Sequence, residues 1–191
     1  MTRDFMFDVE TLSTESTAVV LSAAICYFDL EEEVTFEQLK ERTLFVKFNS
    51  REQLTGENKR HISKSTLDWW SKQAEFTRAR SLLPHKDDLN AADGIDALLM
   101  YVETFGEKNS SMWARGSLDQ MCIDSLCNWA GKPPLTHFNN WMDVRTALRC
   151  LKDTINKYGY CDIPNFDRDL VAKHDPVDDV CIDILQLRYS A

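Results

Sequence analysis

Near the start of the chain, Phe5-Met6-Phe7 runs into Asp8-Val9-Glu10, an apolar strand candidate that ends on two acids one residue apart. Successive side chains of a strand point to opposite faces, so Asp8 and Glu10 share a face, about 6.5 Å apart along the chain. Two carboxylates at the end of a central strand repel each other unless something cationic lies between them. Hard oxygen ligands in this arrangement suit Mg²⁺ or Mn²⁺. The tripeptide is not specific by itself, because Asp29-Leu30-Glu31 repeats it. That second copy continues into Glu32 and Glu33 and reads as a solvated acidic turn. Only the first copy is tied to an opening hydrophobic strand.

Two more strand candidates follow, Ala18 to Phe28 and Leu44 to Phe48. Three strands in succession, joined by short polar segments, predict an antiparallel meander. The pattern then changes. Ser65 to Gln73 reads as a helix start, with a Ser/Thr cap before Leu67, Trp69 and Trp70. Ala91 to Phe105 sets Ile95, Leu98, Leu99 and Val102 at helical spacing. Met112 to Ala114 predicts a short strand, and from Leu118 the positions Met121, Cys122, Leu126 and Trp129 mark a helix that Pro133-Pro134 ends. Trp141 to Val144 reads as a fifth strand, Thr146 to Ile155 as a helix, and Asn156 to Asp169 as a turn-rich connector. Asp175 to Tyr189 closes the chain as a helix. Three strands first, then alternating helices and strands, predict an α/β fold: a mixed five-stranded sheet with helices on both faces. With 191 residues and no internal repeat or linker, a single domain over 1–191 is expected.

A second acidic constellation lies late in the chain. Of the four histidines only His174 is followed five residues later by an Asp, Asp179. Asp175-Pro176 is a good helix start, with Asp as N-cap and Pro in the first turn. Asp178 and Asp179 then fall where the helix dipole favours negative charge, so capping alone would account for them. Asp119, near the start of the helix after Trp113, borders its apolar face and by itself is an ordinary helix-start acid. Asp124, further along, reads as solvated surface.

These pieces together resemble the DEDDh exonucleases, the DnaQ-like branch of the ribonuclease H-like fold. Their pattern is Asp-x-Glu on the first strand, a mid-chain Asp and a late His-x-x-x-x-Asp. Asp8-Val9-Glu10-Thr11 matches the first motif, Trp113 to Asp119 resembles the second, and His174 to Asp179 matches the third. The second motif departs from the pattern at Leu118, where an aromatic usually precedes the Asp. Ser65 to Gln73, and Met142 to Thr146, are similar to segments of phage exonuclease A and of mycobacterial-type exoribonucleases. The resemblance runs from Phe5 to about Leu187.

The resemblance implies a two-metal hydrolase, with Asp8, Glu10, Asp119 and Asp179 holding two Mg²⁺ or Mn²⁺ ions about 4 Å apart. His174 would be the general base, being the one side chain that titrates near neutral pH unaided. Single-stranded DNA or RNA 3' ends would be the substrate, nucleoside 5'-monophosphates the product, and the terminal 3'-OH would lie near Glu10 and Thr11. Relatives of this type can form dimers, and a homodimer stays open here. A ribonuclease H-like module that binds nucleic acid without cutting it is the alternative.

Trp69, Trp70 and Gln73 are candidates to line the nucleotide pocket, with an indole stacking on a base; core packing accounts for at least one of the two tryptophans. Arg115 and Arg145 are placed either to contact phosphate or to pair with acids, and Asp143 reads as a cap on the following helix. His61, His85 and His137 read as surface residues.

Charge and cysteine usage bound the setting. A formal net charge of -9 disfavours a broad duplex binder, yet suits an enzyme that grips one strand end through cations. None of the six cysteines forms a Cys-x-x-Cys pair, and Cys26, Cys122 and Cys181 lie in apolar patterns as free thiols. No signal peptide opens the sequence and no apolar run is long enough to span a bilayer, so a cytoplasmic setting is expected.

Overall fold

The computed structural model describes residues 3–151, 162–164 and 166–190. Its central strand is β1 (Asp4–Thr11), which sends Phe5, Phe7 and Val9 into one core and Met6 into the other. By the same alternation Asp8 and Glu10 share the Met6 face. β2 (Val20–Phe28) runs antiparallel to β1, with Glu10 opposite Ser22 and a register shift at Glu10/Thr11. α1 (Phe36–Arg42) leads into β3 (Leu44–Lys47), antiparallel to β2.

Then come α2 (Ser50–Gln53), α3 (Lys64–Trp70) and α4 (Glu75–Thr77), which passes into a π-helical turn at Arg78–Leu82. α5 (Ala91–Phe105) crosses the sheet before β4 (Met112–Ala114), which pairs parallel with β1. α6 (Ser117–Trp129), β5 (Trp141–Asp143, parallel to β4), α7 (Val144–Leu151) and α8 (Pro176–Ser190) complete the described chain. The sheet order is β3-β2-β1-β4-β5, the mixed five-stranded arrangement expected from the sequence.

Two cores flank the sheet. On one face Phe5, Phe7 and Ile25 pack with Ile95 and Leu98 of α5 and Ile123 and Leu126 of α6. α5 comes close enough there that a Cβ at Gly94 would strike the Phe48 ring. On the other face Met6, Cys26 and Phe28 meet Leu39 of α1, Leu148 of α7, and Val180, Ile184 and Leu187 of α8. The acids of β1 therefore look toward α8, the helix that carries Asp179. A smaller cluster of Leu12, Val19, Leu21 and Trp70 seats α3 beyond the end of β1.

Several element boundaries differ from expectation. The link between β2 and β3 is not merely polar: it contains α1, opened by a capping box in which Thr35 and Gln38 bond each other's backbone. β2 begins at Val20 because Ala18 instead makes an isolated bridge with His61. α7 starts two residues before Thr146, with Asp143 accepting from the Thr146 amide at 2.6 Å as a cap. Residues 152–155 of the expected helix, and most of the connector from Asn156, lie outside the described residues. Among those described, no helix is long and apolar enough to cross a membrane.

Candidate active site

Three backbone elements bring the acids together. β1 supplies Asp8 and Glu10. At the end of β4 the chain turns through Gly116, whose φ of 102° an L side chain rarely adopts, and enters α6. Asp119 sits in the first turn of that helix, 7% exposed, and its Oδ1 accepts from the Val9 amide at 3.4 Å. The start of α8 supplies the last acid. There the Asp175 carboxylate accepts from the Val177 amide at 2.9 Å, and its carbonyl accepts from the Asp179 amide at 2.9 Å.

Helical rotation then separates two adjacent acids. Asp178 accepts from the Ala172 amide at 2.8 Å and pairs with Lys40 at 2.5 Å, a structural commitment. Asp179 faces β1 instead. One ligand atom from each of Glu10, His174 and Asp179 lies within 4.8 Å of the others.

Burial dominates the electrostatics and mutual repulsion adds to it. The Asp119 carboxyl is pushed up to about 7 by burial, with Asp183 adding to the rise and the Val9 amide opposing it. Asp179 is pushed up to about 8 by burial, then by Asp183 and Asp175. Asp8 and Glu10 lie well above the carboxylate range, first through burial and then through the neighbouring acids. Asp8 Oδ2 is also buried without a hydrogen-bond partner among the described residues. Asp8 and Asp119 lie outside the close group of Glu10, His174 and Asp179, but buried acids that resist ionisation together, one with an orphaned oxygen, fit hard divalent cations.

His174 stands beside this cluster in an uncommon backbone conformation, with φ of 61°. Burial, and then the charge of Lys173, hold its pKa below the ordinary 6.5, so the imidazole is neutral at pH 7. Trp69 meets it edge-on, with ring centroids 4.6 Å apart and planes at 80°. A cavity of about 400 Å³ opens next to His174 and Asp179, lined also by Val171, Lys173, Ile182 and Gln186.

The remaining expected residues are placed differently. Trp70 is fully buried and donates its indole N–H to the Thr11 carbonyl at 2.9 Å, so a stacking role for it gives way to core packing. The exposed indole is that of Trp69. The Thr11 hydroxyl donates to the Ser13 carbonyl at 2.7 Å, and the Gln73 amide donates to the Trp69 carbonyl at 3.0 Å, so both hold local structure. Arg115 pairs with Asp183, its Nε 2.9 Å from each carboxylate oxygen, and reaches Gln186 at 2.8 Å. A phosphate contact from Arg115 would have to break that buried pair.

Asp183 itself was not anticipated. Its spacing of one helical turn after Asp179 is the signal that could have revealed it. His61 is at the surface as expected, its side chain 40% exposed, and its Nδ1 shares a hydrogen bond with Ser13 Oγ at 2.8 Å. Asp29 accepts from the Glu31 amide at 2.9 Å in an exposed turn, in keeping with its acidic repeat having no part in the site.

A mixed five-stranded sheet with acids gathered at the end of its central strand is the architecture of the DnaQ-like exonucleases of the ribonuclease H-like superfamily. More particularly, the sequence pattern of the 3'-5' exoribonuclease Rv2179c-like domain matches residues 3–184, and the chain belongs to that family. It is 28% identical over 205 residues to the exodeoxyribonuclease of Enterobacteria phage T4, an alignment covering 98% of this chain and 88% of that protein.

Among solved structures, an exonuclease I from Methylocaldum szegediense superimposes with a TM-score of 0.60 at 13% identity, over 98% of this chain and 40% of that one. The zinc-bound E. coli ExoI–ssDNA complex gives 0.56 at 12% identity, over 99% and 39%. The present chain thus spans about two-fifths of those longer chains, and that likeness carries the fold. The protein is a 3'-5' exonuclease acting on nucleic acid, which sets aside the non-cutting module.

Proposed function

We propose that the protein, working as one domain over 1–191 in the cytoplasm, trims single-stranded DNA or RNA from the 3' end and releases nucleoside 5'-monophosphates. The observation that carries this reading is the convergence of Glu10, His174 and Asp179 within 4.8 Å, with Asp8 and Asp119 held against the same strand. Asp8, Glu10, Asp119 and Asp179 would hold two divalent cations, Mg²⁺ or Mn²⁺. Such ions, when bound, acidify the attacking water and offset charge on the phosphate and the leaving oxygen.

The chain's own groups account for the rest. A neutral His174 ring nitrogen takes the proton of the attacking water as the new P–O bond forms and the bond to the 3' oxygen breaks. Its lowered pKa keeps that nitrogen available at neutral pH. Trp69, exposed and touching His174, offers an apolar face to the terminal base. The cavity beside Lys173 is of a size suited to a nucleotide.

The named relatives act on different sugars, one called an exoribonuclease domain and the other an exodeoxyribonuclease. Matched end-labelled DNA and RNA strands, incubated with Mn²⁺, therefore test the substrate. Stepwise 3' shortening that EDTA and Asp8→Ala abolish is expected, with mononucleotides as product. Oligonucleotide products, or activity unaffected by Asp8→Ala, would overturn the proposal.

A further inference from the structure

His174 is the one non-glycine with positive φ among the described residues. A side chain in that region crowds its own backbone, and the conformation lasts only where the surroundings fix it. Three contacts fix it here, and all come from one stretch of chain. Thr77, 3% exposed, donates its hydroxyl to the Lys173 carbonyl at 3.2 Å and so holds the peptide entering His174. Arg80 Nε lies 2.7 Å from Asp175 Oδ2 in an ion pair, without the alignment of a hydrogen bond, and its charge holds the residue leaving it. Trp69 closes on the ring itself.

That stretch is anchored in turn to the sheet. The Arg80 guanidinium lies over the Phe45 ring of β3 at 4.5 Å, and the Ser81 hydroxyl shares a 2.8 Å hydrogen bond with Ser22, the residue opposite Glu10. The π-helical turn at Arg78–Leu82 contains both Arg80 and Ser81. Turns of this kind are rare and recur at functional sites.

We propose that Thr77 and Arg80 are positioning residues that fix the general base by clamping the backbone on either side of His174. The inference rests on the reading of His174 as that base. Thr77 and Arg80 would act through the loop rather than by touching substrate.

The test measures 3' release from a short single strand with Mn²⁺, together with direct Mn²⁺ binding by calorimetry and amide exchange at residues 172–175. Thr77→Val and Arg80→Met should lower kcat by about ten- to a hundredfold, leave KM and Mn²⁺ affinity within about twofold, and speed exchange in that loop. Thr77→Ser should restore the rate. In a His174→Ala background neither substitution should cause further loss, because the group they position is gone.

If His174→Ala alone keeps the wild-type rate, the base assignment fails and the inference falls with it. If His174→Ala is slow but folded Thr77→Val and Arg80→Met keep kcat, the positioning role is wrong while the base stands. Losses that multiply with His174→Ala, or Mn²⁺ affinity falling in step with kcat, overturn it equally. Should Thr77→Val fail to fold, Arg80→Met against Arg80→Lys decides by the same criteria.

Discussion

Replacing Asp119 with Asn tests whether the acidic cluster is stable only around cations. Asparagine keeps the shape and an oxygen acceptor for the Val9 amide, 3.4 Å away, but deletes one charge. In metal-free protein, burial raises this carboxyl from 3.8 to about 7. The unfolded chain loses the proton near its ordinary value, so from about pH 4 to about pH 7 it binds fewer protons than the native state, and stability falls as pH rises. Each pH unit in that interval is worth about 1.4 kcal/mol. Between about pH 5 and about pH 8 the Asp119 carboxyl thus accounts for a loss of order 3 kcal/mol. Asp179, pushed up to about 8 chiefly by its own burial, adds a further loss over the same range that wild type and Asp119→Asn share.

Urea unfolding in EDTA at the two pH values measures the effect. Wild type should weaken toward the higher pH, and Asp119→Asn should weaken by up to about 3 kcal/mol less. Adding Mn²⁺ at about a hundred times its dissociation constant should return about 2.7 kcal/mol to wild type and less to the variant. A wild type equally stable at both pH values in EDTA, or an Asn variant displaced by the same amount at both, would refute the reasoning.

Because burial and Lys173 hold His174 below 6.5, its basic form persists as pH falls, and the acid limb of kcat/KM should lie below that value. A limb unchanged in His174→Gln would remove the base assignment. Trp70→Ala, which empties a fully buried site, should cost about 3–5 kcal/mol in urea unfolding. Trp69→Ala should instead spare stability and raise KM for single strands, and the opposite pattern would reverse the two roles. Arg115→Met leaves Asp183 buried without that partner, a loss of about 3–5 kcal/mol. Adding Asp183→Leu should recover most of it; if the double variant is no better than the single one, the pair is not what holds α8 there.

What was legible in the sequence follows from how far each signal reaches. Asp8 and Glu10 could be paired because strand alternation has a period of two, and Phe5, Phe7 and Val9 declare which face is apolar. Five strands and the meander of the first three were visible too, whereas the side of β1 on which β4 and β5 join was not. α1 was missed although its Thr35–Gln38 capping box was in plain view, because the acidic run before it read as a turn. The π-helical turn at Arg78–Leu82 left no comparable trace, since five residues are too few to show a period.

Harder still are neighbours that one helical step divides. Trp69 and Trp70 are adjacent and chemically identical, yet one is exposed against His174 and the other is sealed over Thr11. Asp178 and Asp179 are equally alike, and Lys40, far away in sequence, joins the Ala172 amide in committing the first to structure and leaves the second facing Glu10. Each of those assignments depends on a partner from another element. Local pattern can therefore say that an acid or an indole stands at the start of a helix, but only the packing of α8 and α3 against β1 decides which one faces the chemistry.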